Sequence, residues 1–268
     1  MNIPSQHNNS QAIGVFDSGV GGLSIAKCIA KQLPHENLIY VADSLHAPYG
    51  EKSIQFINER VLYIAEQLIQ KEIKALVVAC NTATVNAIEQ LRARVSIPVI
   101  GVEPAIKPAT KFSLTKKVAV LATQATSTNL RFQNLIAQHH NGAEVLIQPC
   151  PGLVEFIEQG QQNSAACQQL LKRYIEPLLH KGVDTLVLGC THYPFLLTQI
   201  NDITDNKIMI IETSAPVTLQ LSRQLIQANL AANNQQQAQY SFYSSAATLQ
   251  QQKLMSSLWE QPITLQSL

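Results

Sequence analysis

Two cysteines lie at equivalent ends of two similar segments. Residues 76–82 read Leu-Val-Val-Ala-Cys-Asn-Thr and residues 186–192 read Leu-Val-Leu-Gly-Cys-Thr-His, so Cys80 and Cys190 are 110 residues apart. Each apolar run is typical of a parallel strand buried on both faces, and ligands bind beyond the carboxyl ends of such strands. A site with a thiol on each side would suit removal of a proton from one face of a carbon and delivery of a proton to the other.

The residues that follow the two thiols favour reactivity over simple packing. Asn-Thr follows Cys80, Thr-His follows Cys190, and a possible helix begins after each. A helix N-terminus lowers the pKa of a thiol. A fall of about one unit from about 8.5 would bring the thiol close to neutrality, where a general base works best.

The other three cysteines fit a more ordinary role. Free cysteine is among the most buried residue types and usually packs as a small apolar side chain. Cys28 and Cys167 lie inside helical patterns and are expected to pack in this way, whereas Cys150 at a strand end fits either role.

A glycine-rich turn follows the first strand candidate. Residues 17–22 read Asp-Ser-Gly-Val-Gly-Gly between a strand and a helix pattern. Glycines permit close approach of a ligand to the backbone, and the following helix N-terminus favours an anion. The dinucleotide and P-loop patterns are incomplete. A phosphate loop, a carboxylate-binding turn with Asp17 and Ser18, and a purely structural turn all remain open.

Other chemistries compete for the same residues. His192 could be a buried structural histidine, or it could polarise Cys190 or supply a proton. A hydrolase with one cysteine and His192 is an alternative, although a second equivalent cysteine has no role in it. A two-lobed ligand-binding protein is another alternative. Metal-ligand spacings are lacking, and no lysine accompanies a phosphate loop as pyridoxal phosphate would require, so we expect no metal and no cofactor.

The elements around these residues form an internal repeat. Four strand candidates recur in the same order, at 13–17 and 118–123, 38–43 and 145–150, 76–79 and 186–189, and 97–103 and 208–212. Helical patterns alternate with them, at 23–32, 53–71, 82–95, 129–139 and 163–180, the last interrupted near Pro177. This alternation predicts βαβ units with parallel sheets.

The predicted fold is α/β, with two pseudo-symmetric domains that are each a mainly parallel sheet flanked by helices, and with the active site between them. The first domain is expected to be discontinuous, comprising 12–103 and 212–268, and the second to comprise 104–211. Residues 1–11 are expected to form a mobile N-terminal extension, and the Gln-rich stretch 226–254 to be partly helical.

Composition narrows the class of protein. The chain has 268 residues, 46% hydrophobic and 14% charged, with a net charge of +1. The sequence has no basic stripe of the kind that binds phosphates, so we do not expect nucleic acid as the main partner. No apolar run is long enough to span a bilayer. The polar N-terminus lacks the apolar core of a signal peptide. Five cysteines without a disulfide framework favour a reducing cytoplasm.

Four motifs together resemble the cofactor-independent aspartate/glutamate racemase family. They are Asp17-Ser18-Gly19-Val20-Gly21-Gly22, Pro48-Tyr49-Gly50, Ala79-Cys80-Asn81-Thr82-Ala83 and Gly189-Cys190-Thr191-His192-Tyr193-Pro194. The similarity runs from about Ile13 to Pro216, and the last motif is typical of the glutamate branch. The chain departs from the usual family sequence at 45–47, 212–213 and 243–246.

The resemblance implies a role for each matching residue. Cys80 and Cys190 would be the acid/base thiols, acting on D-glutamate and L-glutamate respectively, and Asp17 and His192 would each assist the nearer face. The residues expected to line or stand near the substrate are Ser18, Pro48, Tyr49, Gly50, Asn81, Thr82, Thr123, Thr126, Thr191, Asp43 and Glu158.

The resemblance also implies a biological setting. The reaction would interconvert L- and D-glutamate without a cofactor and supply D-glutamate for bacterial peptidoglycan, and hence for cell-wall biogenesis and cell shape. The enzyme would be cytoplasmic, with no membrane partner. A homodimer and a side interaction with DNA gyrase are further expectations from the family.

Overall fold

The structure, a computed structural model, describes residues 9–268, which form two sheets. The ten strands are β1 (Ile13–Asp17), β2 (Leu38–Ala42), β3 (Ala75–Val78), β4 (Val99–Gly101), β5 (Lys117–Ala122), β6 (Glu144–Pro149), β7 (Thr185–Leu188), β8 (Met209–Ile211), β9 (Tyr240–Ser244) and β10 (Leu265–Ser267). All strand pairs are parallel, which agrees with the α/β prediction.

Helices connect successive strands throughout the described chain. The eleven α-helices are α1 (Leu23–Gln32), α2 (Ile54–Ile69), α3 (Asn81–Arg94), α4 (Ile106–Phe112), α5 (Gln124–Ser127), α6 (Leu130–His139), α7 (Leu153–Glu158), α8 (Ala165–His180), α9 (Leu197–Ile203), α10 (Ser214–Gln227) and α11 (Leu249–Trp259). Short 3₁₀ turns cover Ser44–His46, Tyr49–Glu51 and Tyr193–Leu196.

The two sheets have the same internal order. One runs β10-β9-β2-β1-β3-β4 and the other β6-β5-β7-β8, so the second repeats the order of the first four strands. Val78 of β3 and Leu188 of β7 are the last residues paired with β1 and β5. Because Cys80 and Cys190 each follow two residues later, the thiols occupy equivalent positions of two pseudo-symmetric halves, as the repeat predicts.

The apolar patterns explain which faces are buried. Every residue of β1, β3 and β7 is buried, as expected for strands covered on both faces. Helix α2 buries Ile57, Val61, Ile64, Ala65 and Leu68 on one face. Ile54, which the sequence pattern places in the same stripe, is exposed at the first turn of the helix. Among residues 9–268 no helix is both long and apolar enough to cross a membrane.

One sequence-based expectation was wrong, and another was correct but incomplete. Helix α8 continues through Pro177, because the proline lies in its last turn, where a lost backbone hydrogen bond interrupts little of the helix. The Gln-rich stretch 226–254 is partly helical, as expected, because α11 begins within it. It also contains β9, which pairs with β2, and β10 lies beyond it on the outer edge of β9.

The chain passes from the first sheet to the second after β4 and returns after β8. The domain boundaries at 103/104 and 211/212 stay a prediction. Of the expected mobile extension, residues 1–8 lie outside the described residues. The carbonyls of Asn9 and Ser10 accept hydrogen bonds from the side chains of Lys74 and Asn37.

Candidate active site

The carboxyl ends of the central strands of both sheets face one cleft. Asp17 ends β1, Cys80 follows β3, Thr123 follows β5 and Cys190 follows β7. Hydrogen bonds cross the cleft between these loops, as from the Thr191 hydroxyl to Asp17 Oδ2 at 2.7 Å. The fold therefore brings together residues that the sequence places more than a hundred positions apart.

Cys80 is the N-cap of α3. Its Sγ accepts from the backbone N–H of Ala83 at 3.4 Å and lies 3.6 Å from Ser18 Oγ. Burial, together with the nearby charge of Asp17, nevertheless raises the pKa of Cys80 to about 12. The expectation of a lowered pKa was wrong here, because the helix N-terminus does not offset the loss of water around a buried thiolate.

Cys190 contacts a histidine side chain, whereas Cys80 contacts a helix N-terminus. His192 Nδ1 lies 3.7 Å from Cys190 Sγ, and His192 Nε2 lies 2.6 Å from Glu158 Oε1. Burial alone would lower the pKa of His192, but the hydrogen bonds to Cys190 and Glu158 outweigh it and hold the pKa well above its ordinary value. A charged imidazolium between a carboxylate and a thiol is suited to stabilise the thiolate or to donate a proton.

Asp17 contacts the surroundings of both thiols. Its Oδ1 accepts from the Gly19 N–H at 2.8 Å and from the Ser18 hydroxyl at 3.2 Å, and its Oδ2 accepts from Thr191. Ser18 is the residue beside Cys80, and Thr191 follows Cys190. Burial raises the pKa of Asp17 to about 6, with the charge of His192 and the hydrogen bonds acting in the opposite direction.

The glycines of the 17–22 turn make room for side chains of the other half. A Cβ at Gly19 would collide with the Glu158 carboxylate, and a Cβ at Gly21 would collide with the His192 ring. The Val20 N–H also donates to Glu158 Oε1 at 2.8 Å. The sequence leaves open what approaches the backbone of this turn. In the structure, the side chains of Glu158 and His192 lie against it.

Three threonine hydroxyls form a cluster across the cleft. Thr82 Oγ1 lies 2.9 Å from Thr123 Oγ1 and 3.3 Å from Thr126 Oγ1, and Thr123 donates to Thr126 at 3.0 Å. Gly50 packs against Thr123, where a Cβ would lie 2.9 Å from the threonine Cβ. Pro48, Gly50, Thr123 and Cys150 line a narrow cleft of about 30 Å³ between the halves.

Asn81 carries an unused acceptor in the site. Its Nδ2 donates to the Val102 carbonyl at 3.4 Å, while its buried Oδ1 has no hydrogen-bond partner among the described residues. Buried polar atoms are normally paired. An amide oxygen beside Cys80 is therefore suited to accept from a bound molecule.

Asp43 and Tyr49 bind each other. The Tyr49 hydroxyl donates to Asp43 Oδ2 at 2.6 Å, and Asp43 is fully buried. Arg60 of α2, which sequence reasoning missed, donates to both oxygens of Asp43. Tyr40, also missed, donates to the Gly19 carbonyl at 2.7 Å. Neither residue stands at a strand end or in a recognisable motif.

Of the remaining cysteines, Cys28 and Cys167 lie outside this site, whereas Cys150 lines the cleft beside Thr123. Cys167 is fully buried in the core and Cys28 is half-buried in α1, as expected for packing residues. Cys150, at the end of β6, is buried, and burial raises the pKa of its thiol. No group of three or more His, Cys, Asp and Glu side chains within residues 9–268 could hold a metal ion.

The family model for Asp/Glu/Hydantoin racemase matches residues 13–219. The chain belongs to the Asp/Glu/Hydantoin racemase family. The family resemblance that the sequence motifs suggest is thereby confirmed.

Named relatives cover nearly the whole chain. Glutamate racemase of Ectopseudomonas mendocina is 48% identical over 245 residues, 91% of this chain and 92% of that protein. Glutamate racemase of Methylococcus capsulatus is 45% identical over 251 residues, 94% of this chain and 93% of that protein.

Solved structures of this family have the same fold. The structure of glutamate racemase isoform RacE1 from Bacillus anthracis matches with a TM-score of 0.89 at 31% identity, over 97% of this chain and 98% of that one. Escherichia coli glutamate racemase, in complex with L-glutamate and the activator UDP-MurNAc-ala, matches with a TM-score of 0.85 at 31% identity, over 96% and 98%.

Proposed function

We propose that this racemase interconverts L-glutamate and D-glutamate with Cys80 and Cys190 as its two acid/base groups. The observation that carries the proposal is the equivalent position of the two thiols after β3 and β7, on opposite sides of one cleft. The glutamate racemase relatives at 48% and 45% identity support the choice of substrate.

The proposed reaction moves one proton at each face of Cα. With L-glutamate, the Cys190 thiolate takes the α-proton and the Cys80 thiol delivers its own proton to the opposite face. In the complex with D-glutamate, Cys190 is then a thiol and Cys80 a thiolate. The reverse reaction begins from this state. The two thiols must exchange their protonation states before another L-glutamate can react.

The α-proton of an amino acid is very weakly acidic, so the developing negative charge needs fixed donors in a dry site. The threonine cluster of Thr82, Thr123 and Thr126 offers hydroxyls on both sides of the cleft. Asn81 Oδ1 offers an acceptor for the substrate ammonium group. These residues would fix Cα between the thiols.

Substrate binding would also activate Cys80. The raised pKa of about 12 arises mainly from burial. An ammonium group brought beside the thiol favours its charged form. The base would then ionise only once glutamate is in place, which limits wasteful exchange of protons with water.

Circular dichroism tests this proposal directly. Purified protein with L-glutamate and no added cofactor should bring the signal of the amino acid to zero as the racemate forms. Prior dialysis against a chelator and treatment with hydroxylamine should leave the rate unchanged. In ²H₂O, deuterium should appear at Cα. A ligand-binding protein or a cysteine hydrolase would show no exchange there, and that result would remove the proposal.

We extend the proposal to the setting that the family resemblance implies. D-glutamate made in the cytoplasm would enter peptidoglycan synthesis, so depletion of the protein should make growth depend on added D-glutamate. Sedimentation of the purified protein tests the expected homodimer. A supercoiling assay with purified DNA gyrase tests the expected side interaction.

A further inference from the structure

The buried carboxylate of Asp43 is held by His46 and Arg60, side chains that touch neither thiol. His46 Nδ1 lies 2.9 Å from Asp43 Oδ1. Arg60 Nε donates to Asp43 Oδ2 at 2.9 Å, and Arg60 Nη2 donates to Oδ1 at 2.8 Å. The arginine lies on α2, and its guanidinium also sits 4.8 Å from the centre of the Tyr63 ring. Paired N–H···O bonds of this kind fix the plane of a carboxylate as well as its charge.

The carboxylate in turn fixes the hydroxyl of Tyr49. That hydroxyl has one proton, and it is donated to Asp43 at 2.6 Å. The Tyr49 ring packs against Phe16 and Phe56, with ring centres 6.3 and 6.5 Å away. Tyr49 therefore does not donate its proton to a substrate in this arrangement, and the bond to Asp43 holds the residue and its backbone in place.

The backbone that Tyr49 anchors reaches the other half of the molecule. The 3₁₀ turn Tyr49–Glu51 places Gly50 against Thr123, a member of the threonine cluster. A continuous series of contacts thus joins an arginine on α2 to the second half of the cleft. None of its links passes through the thiols.

We propose that Arg60 is a positioning residue, which acts through Asp43 and Tyr49 to hold residues 48–51 against Thr123 across the cleft. The proposal rests on the proposed glutamate racemisation for its effect on turnover. Arg60 touches neither thiol and does not take part in proton transfer. Burial by itself would raise the pKa of Asp43, but hydrogen bonds, above all those from Arg60, hold this pKa below its ordinary value. The carboxylate therefore stays charged and keeps its hydrogen bond with Tyr49.

The first experiment measures hydrogen–deuterium exchange of the peptide that contains residues 47–52. Arg60→Ala should increase exchange there, whereas Glu59→Ala, which removes an exposed side chain of the same helix, should not. Arg60→Lys keeps a charge without the paired donors and should give an intermediate value. Unchanged exchange in Arg60→Ala would overturn the proposal, whether or not the protein racemises glutamate.

The second experiment measures turnover of glutamate. Loss of a charge-assisted hydrogen bond should lower kcat/KM of Arg60→Ala by about 10- to 100-fold, mainly through KM. In a Tyr49→Phe background, where the link is already cut, the same change should cost less than about threefold. Equal losses in both backgrounds would assign Arg60 a general stabilising role and overturn the proposal. An inactive wild-type protein would count against the proposed function alone.

Discussion

Asp17 binds residues beside both of the thiols proposed to act on glutamate. The sequence suggests that it assists only the face nearer to Cys80. Its two carboxylate oxygens instead bind Ser18, beside Cys80, and Thr191, beside Cys190. A charge held in this place is costly because the carboxylate is completely buried, and this burial is the main cause of the raised pKa of about 6.

We therefore predict that Asp17→Asn stabilises the protein at neutral pH. Because the folded-state pKa of about 6 is above the ordinary value of 3.8, the wild-type protein gains stability as pH falls from about 6 to about 4. Asparagine needs no such proton, so it should raise the free energy of unfolding by up to about 3 kcal/mol at pH 7. Urea titrations at pH 7 and pH 4 check this, and an equal difference at both pH values would contradict it.

The two thiols give the sharpest prediction at this scale. Cys80→Ser and Cys190→Ser should each abolish racemisation, because a serine hydroxyl is far less acidic than a thiol. Each variant keeps one thiol, so it should still remove the α-proton of one enantiomer from an analogue with a β leaving group. We expect elimination from the L analogue in Cys80→Ser and from the D analogue in Cys190→Ser.

The control for the thiol variants is Cys167→Ser, which changes a core cysteine outside the cleft. This variant should racemise glutamate at nearly the normal rate if it folds. Cys28→Ser, in the half-buried position, serves the same purpose with less risk to folding. Near-normal racemisation by either active-site variant would remove the two-thiol mechanism.

At the scale of the elements, turn geometry decides where two side chains of the second half can lie. The glycines at 19 and 21 leave the space that Glu158 and His192 occupy. The sequence predicts that backbone approach matters there, but a local pattern contains no information on what approaches. That information appears only once the two sheets face each other.

We predict that Gly21→Ala reproduces the effect of His192→Asn, because the added methyl group displaces the imidazole. L- and D-glutamate have equal energies, so kcat/KM must stay equal in the two directions and cannot report the difference. Primary deuterium isotope effects can. Loss of a general acid/base contribution of about 10²–10⁴ at the Cys190 face should enlarge the effect with L-[2-²H]glutamate more than with the D enantiomer.

A matched control for this change is available in β1. Gly14→Ala places a methyl group 2.8 Å from the tip of the Ile73 side chain, which can move, and far from the thiols in the fold. It should leave the isotope effects as they are in the wild type. Equal effects for the two enantiomers in Gly21→Ala would contradict the assigned role of His192.

Sequence patterns captured β1 to β8 because apolar runs and helical stripes are local signals. They missed β9, since its alternating Tyr-Ser-Phe-Tyr-Ser lies in a Gln-rich stretch and its partner β2 is distant in the chain. The thiols were found because they end two buried strands. Arg60 was missed because an arginine on an amphipathic helix looks like any solvated side chain, and only the fold places it over Asp43.

At the scale of the whole molecule, the cleft is closed. Cys80 and Cys190 are only 5% and 6% exposed. Two further contacts join the halves away from the thiols. Asn129 Nδ2 of the second half donates to Asn86 Oδ1 at 3.1 Å, and Arg131 Nη1 donates to Glu89 Oε1 at 2.7 Å. Glutamate can therefore reach the thiols only if the halves move apart, and such opening limits the rate of many enzymes.

We predict that Arg131→Ala combined with Asn129→Ala speeds the alkylation of Cys80 and Cys190 by iodoacetamide. Exposed ion pairs and single hydrogen bonds contribute little each, so an increase of about 2- to 10-fold is expected. Saturating glutamate should slow the reaction, and mass spectrometry identifies the modified cysteines. Arg173→Ala on α8 is the control. A rate unaffected by both the double variant and glutamate would contradict opening at this edge.

The strand order also fixes the sequence in which a ribosome can complete the two sheets. The second sheet has all its strands between β5 and β8, whereas the first must wait for β9 and β10. At about 5–20 residues per second, roughly 10–40 s separate the synthesis of β2 from that of its neighbour β9. During this time β2 is an open sheet edge that invites pairing with other nascent chains. The C-terminal strands are therefore the last to pair, and they cover this edge. A truncation that removes β9 and β10 should favour aggregation even though it leaves Cys80 and Cys190 in the chain.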